Sequence, residues 1–135
     1  DRLNALGSVS GIQVIDSIYI WDWDSVTQAW FIDYRIIDII YSSGFLPEHY
    51  IAQYYDGNTW TNDYRYTLAY DANNQMTRET EEFWTGDDWE FEYQTLFTYN
   101  EHQHLTSETY ESWGGDFWKI SGRELFTYDT SYYRT

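Results

Sequence analysis

The chain of 135 residues contains no cysteine, one proline and one methionine. The missing thiols exclude disulfides, thiolate nucleophiles and cysteine-based zinc or iron-sulfur centres. Basic residues are scarce too, with 7 Lys and Arg against 23 Asp and Glu, giving a formal charge of -16. A field of that sign repels phosphate backbones and anionic lipid headgroups, so no nucleic-acid partner is expected. No apolar run approaches the roughly 18 residues of a membrane helix, because Asp interrupts each cluster, and no membrane insertion is expected. Nucleophile elbow, phosphate-cradling loop and dinucleotide fingerprint are also missing, so the expectation is no enzyme and no cofactor. The length suits one domain.

Aromatic residues are abundant, with 15 Tyr, 8 Trp and 7 Phe, a composition that favours strands over helices. They are also spaced regularly. Tyr41, Tyr70, Tyr99 and Tyr128 follow one another at intervals of 29 residues, as do Trp60, Trp89 and Trp118, and Tyr55, Trp84 and Trp113 form a third column. Between the columns lie polar turns (DANNQ, NEHQH) and short Gly/Asp turns (DGNT, TGDD, GGDF). A unit of two strands and two turns, repeated about every 29 residues, accounts for the pattern.

The expected strands are 12-23, 29-41, 46-55, 59-70, 76-84, 89-99, 105-113 and 117-128. The fold class is therefore all-β, an antiparallel meander of about eight strands forming a sandwich, an open barrel or a curled sheet. Period-2 alternation puts Trp89, Phe91, Tyr93, Phe97 and Tyr99 on one inward face and Glu90, Glu92, Gln94 and Thr98 on a wet one. It likewise groups Trp118, Ile120, Phe126 and Tyr128. The first unit carries one residue too many between Trp30 and Tyr41, which a β-bulge near Ile36 and Ile37 would absorb.

Residues 1-20 lie outside the periodic body at 21-135 and read as an arm. Its stretch from Gly11 to Ile20 carries Ile12, Val14, Ile18 and Ile20 on one side, behind a linker-like segment. Two placements fit: first strand of its own sheet, or a strand added in trans to the next copy. Burying four such side chains offers roughly 6-12 kcal/mol before ordering costs. A head-to-tail contact of this kind need not close and yields a filament.

The segments YDANNQMTRETEEFWTGDDW and YNEHQHLTSETYESWGGDFW resemble the Tyr/Trp-rich, YD-like repeats of secreted and surface proteins of Bacteroidota. The resemblance covers roughly residues 41-128 and implies a location outside the cell or on its surface. The first residue is Asp1 rather than Met, which fits a processed, exported protein. Asp16-Ser17-Ile18 and Asp24-Ser25-Val26 resemble the O-glycosylation signal of the same bacteria, which makes Ser17 and Ser25 candidate sites for a covalent glycan.

Other chemistry is weakly encoded. His102 and His104 form a His-x-His pair, but nothing fixes further ligands, and no metal is expected. Glutamates 79, 81, 82, 90, 92, 108 and 111 supply many carboxylate pairs and single out none. The Asp56-Gly57-Asn58 and Asp87-Asp88 turns lack the spacing of a calcium loop. The aromatic columns read as core and cross-strand ladder; exposed, they would suit stacking on a polysaccharide. The resulting expectation is an extracellular structural protein that assembles with copies of itself through its N-terminal strand, with a carbohydrate-binding or adhesive module as the alternative.

Overall fold

The structure, a computed structural model, describes residues 13-129. Eight strands run in chain order: β1 (Ile18–Asp24), β2 (Ala29–Tyr41), β3 (Pro47–Tyr55), β4 (Trp60–Tyr70), β5 (Met76–Trp84), β6 (Trp89–Tyr99), β7 (Leu105–Trp113) and β8 (Trp118–Leu125). They form one antiparallel sheet in the order β1-β2-β3-β4-β5-β6-β7-β8, so sequential strands are neighbours and β1 and β8 are its edges. The meander is as expected, neither stacked as a sandwich nor closed into a barrel. The first strand begins at Ile18 rather than residue 12, and Ile12 lies outside the described residues. The arm boundary at 20/21 thus falls inside β1.

The turns explain why the chain reverses where it does. At one end of the sheet Ser42, Asp71 and Asn100 each turn a side-chain oxygen back onto the loop: Ser42 Oγ accepts from the amides of Gly44 and Leu46, Asp71 Oδ1 from those of Asn73 and Gln75, and Asn100 Oδ1 from those of His102 and His104. Three residues after each cap, Phe45, Asn74 and Gln103 adopt φ of 61, 63 and 65°. Asn tolerates that conformation, whereas Phe does not. Phe45 is also half exposed, so Phe45→Asn is expected to raise stability by about 1 kcal/mol, read as a higher urea midpoint with an unchanged slope. At the other end Gly57, Gly86 and Gly115 supply φ near +100° (97, 105 and 94°) in the tight turns.

Bulges set which side chains share a face. The register slips opposite Asp33, Asp63, Glu92 and Ser121, one extra residue in β2, β4, β6 and β8. Each slip reverses the alternation of the rest of its strand. The expected inward face of β6 is therefore corrected: Trp89 and Phe91 share a face with Gln94 and Leu96, while Tyr93 and Phe97 lie on the other. The same reversal at Ser121 separates Ile120 from Phe126. The bulge expected near Ile36 and Ile37 occurs just beyond, between Ile37 and Ile40, where Asp38 has φ of 53°.

The sheet curls toward the face that carries Trp60, Trp89 and Trp118. Tyr19 in β1 and Trp60 in β4 lie on that face with ring centres 6.2 Å apart, although three strand spacings of a flat sheet amount to about 14 Å. This inner face buries polar side chains, Thr80, Glu82, Gln94, Ser107 and Thr109, whereas the two buried apolar residues among those described, Ala52 and Leu68, lie on the outer face. A wet polar face and a dry apolar face, as alternation alone implies, are thus not what the chain builds.

Candidate functional site: the inner face and the sheet edges

Hairpin geometry fixes the aromatic columns. The last residues paired before the tight turns are Tyr55 with Trp60, Trp84 with Trp89 and Trp113 with Trp118, and in the first hairpin Trp23 pairs with Trp30 one step before the final pair Asp24 with Ala29. The ring centres of these aromatic pairs lie 5.1, 5.0, 5.0 and 5.4 Å apart, the tilted contact that cross-strand aromatic pairs favour. The tyrosine column serves the opposite rim. Tyr70, Tyr99 and Tyr128 donate their hydroxyls to the carbonyls of Pro47, Met76 and Leu105, at the starts of β3, β5 and β7, over 2.8, 2.8 and 2.7 Å. Tyr41 does the same to Ile15, just before β1, over 2.7 Å. These phenols tie strand ends together, so the column is architectural.

Charge is sorted between the faces. Arg35, Arg65, Arg78 and Arg123 occupy inner-face positions, where the strands place only Glu82 and Glu111 among the acids. Arg35 donates to Gln53 over 2.7 Å and stacks 4.4 Å above the Trp60 ring, one strand beyond. Arg65 repeats the arrangement, bonding Glu82 through two nitrogens at 2.7 and 2.5 Å and lying 5.0 Å from the Trp89 ring. At the next step Gln94 replaces arginine, and its amide donates to Glu111. Among the described residues no guanidinium covers the Trp118 ring.

A groove of about 300 Å³ opens at that step, lined by Thr67, Arg78, Thr80, Glu82, Phe91, Gln94 and Trp118. Phe91 and Trp118, with ring centres 5.5 Å apart, are its aromatic lining, and Trp113 packs against Phe91 at 5.3 Å.

The outer face gathers carboxylates and tyrosines. Tyr34 donates to Asp63, the bulge residue two strands away, over 2.6 Å. Burial, then this acceptor, pushes the Tyr34 hydroxyl well above its ordinary range. Tyr64 stands in the corresponding relation to Glu92, whose charge is the largest cause of its raised pKa. Glu79 and Glu92 are themselves raised, by burial first and by the charge of Glu81 second, and Glu92 Oε2 is buried without a hydrogen-bond partner. The folded chain holds protons on these groups more tightly than the unfolded chain. Their stabilising contribution is therefore present below the ordinary carboxyl value of 4.5 and is lost as pH rises through the raised folded values. Glu81→Gln is expected to raise the melting temperature at pH 7 by a few degrees, about 0.5-1 kcal/mol, and to flatten its fall above the ordinary carboxyl value.

The remaining candidates are placed as follows. Val14 is exposed ahead of β1; Ile18 and Ile20 sit in β1 opposite Ile36 and Tyr34 of the same chain. Ser17 bonds Asp16, whereas Ser25 is exposed in the β1-β2 turn, whose Asp24 accepts from the Val26 amide and the Thr27 hydroxyl. His102 and His104 lie at the β6-β7 turn, the latter 4.8 Å from the Tyr128 ring. Asp56 spends its carboxylate on the amides of Asn58 and Thr59. Among the described residues no group of three His, Asp or Glu side chains is placed to hold a metal. The arginine column and the groove escape sequence reading, because Gln94 interrupts the series Arg35, Arg65 and Arg123 and the bulges hide which face these positions share.

No family model matches the chain, and no curated protein does. Among solved structures it is similar to a DUF3836 family protein from Bacteroides vulgatus ATCC 8482, at 22% identity and a TM-score of 0.52 over 63% of this chain and 89% of that one. It is also similar to a protein of unknown function from Bacteroides fragilis NCTC 9343, at 11% identity and a TM-score of 0.62 over 82% of each chain. Both likenesses bear on the fold alone.

Proposed function

We propose that this chain is an extracellular structural protein that assembles head to tail with copies of itself, the free edge of β1 pairing with β8 of its neighbour. The strand stays in its own sheet and offers its outer edge, so the connector acts without leaving β2. The supporting observation is an unfinished column. Arg35 covers Trp60 and Arg65 covers Trp89, while Trp30 at one end of the sheet is 64% exposed, with no guanidinium over it among the described residues. At the other end Arg123, bonded to Thr109, has no ring beneath it among the described residues.

A junction with the register of β4 on β5 and β6 on β7 joins the two ends. It opposes Arg123 to Trp21 and Leu125 to Tyr19 of the next copy, and it brings that copy's Trp30 under Arg123. With eight antiparallel strands, β8 and an incoming β1 run in opposite directions, so alternation continues across the junction. Leu125 is 74% and Tyr19 50% exposed in the single chain, and two open edges invite pairing. The net charge of -16 opposes unspecific clumping, which leaves the matched edge as the favoured contact. Exposed Ser25 is a suitable attachment point for a solubilising glycan on such a fibre.

Electron microscopy and sedimentation velocity across a concentration series test this reading. Linear particles whose length grows with concentration are expected. Monomers at every concentration would overturn it.

A further inference from the structure

We propose that the inner-face groove at the β4-β6 and β8 positions binds an acidic sugar, a pyranose unit bearing a carboxylate within a polysaccharide. Each copy carries the groove complete, so the inference is independent of assembly.

The groove exists because one position of the arginine column is glutamine. Where Arg35 and Arg65 lie across Trp60 and Trp89, Gln94 is too short to cover Trp118, and the open ring lines the cavity beside Phe91. Two aromatic surfaces at an angle suit the C-H face of a pyranose. The polar lining is graded for hydroxyls: Thr67 and Thr80 supply donors and acceptors, and the Gln94 amide, anchored on Glu111, keeps its carbonyl oxygen as an acceptor.

Arg78 decides the charge of the ligand. The other inner-face arginines are engaged, Arg35 with Gln53, Arg65 with Glu82 and Arg123 with Thr109. Arg78 is exposed, lines the groove and has no hydrogen bond or ion pair within the described residues. The acid of the lining, Glu82, is already neutralised by Arg65. A planar guanidinium with free donors beside stacking rings matches a sugar carboxylate, which it takes through two parallel hydrogen bonds. The outer face, where the carboxylates gather, points away from the site.

Affinity electrophoresis and isothermal titration with polygalacturonate and alginate, against neutral dextran, test the proposal. Retardation by at least one of the acidic polymers and not by dextran is expected at moderate salt, where the repulsion between the polymer and the chain's net charge of -16 is screened. Arg78→Gln should reduce affinity about tenfold or more, with partial recovery in Arg78→Lys, which keeps the charge but not the fork. Position 78 is exposed, so an unchanged melting temperature separates loss of binding from loss of fold. Absence of binding to both acidic polymers overturns the proposal, as does dextran binding that Arg78→Gln leaves unchanged.

Discussion

Replacing Glu82 with alanine is expected to destabilise the sheet by about 2-3 kcal/mol, measured by urea unfolding, a large loss for a domain of this size. Glu82 is 7% exposed and takes two hydrogen bonds from Arg65. Removing it leaves a guanidinium held against Trp89 without its acceptor. Because the Arg65 side chain is 30% exposed, water relieves part of the penalty of a fully buried orphan, about 3-5 kcal/mol. The paired change Arg65→Met with Glu82→Leu removes both charges and should cost less than Glu82→Ala alone. A loss below about 1 kcal/mol for Glu82→Ala would show that the pair is dispensable.

The second large effect concerns assembly. Tyr19→Lys together with Leu125→Lys places like charges at directly opposed positions of the proposed β8-β1 junction, while each side chain remains exposed in the single chain. The loss of apolar contact and the repulsion add at every junction, a device by which natural edge strands avoid pairing. The variant is expected to stay monomeric at concentrations where the unaltered chain is expected to polymerise, with only the small loss of stability that the missing Tyr19–Trp60 ring contact brings. Polymers of undiminished length would place the junction elsewhere.

Much of the meander was legible because its turns and aromatic pairs are local. Trp84, Thr85, Gly86 and Trp89 specify a hairpin without reference to the rest of the chain, and the expected β5, β6 and β7 coincide with the observed ones. The faces were not legible, since no residue type is peculiar to a bulge: Asp33, Asp63 and Glu92 occupy three of the slips and Ser121 the fourth, while Asp and Glu also fill regular strand positions. One unseen residue per strand moved Tyr93 and Phe97 away from Phe91. The groove lay further from view, because it depends on Gln94 being shorter than Arg65 and on Arg78 finding no acid. Those are properties of side chains brought together across non-adjacent strands. The curl was hidden for the same reason; alternation is identical in a flat sheet, a barrel and an open curve.

The absence of cysteine makes the proposed junction directly testable. Two single variants, Tyr19→Cys and Leu125→Cys, are mixed and oxidised in air, beside a control mixture of Trp21→Cys with Leu125→Cys. Opposed strand positions bring Cα atoms within about 5.5 Å, inside disulfide range, whereas a two-residue offset moves them beyond about 7 Å. The account predicts a covalent dimer in the first mixture, abolished by reductant, and none in the control. No dimer in either mixture, or equal dimer in both, would contradict head-to-tail continuation of the sheet.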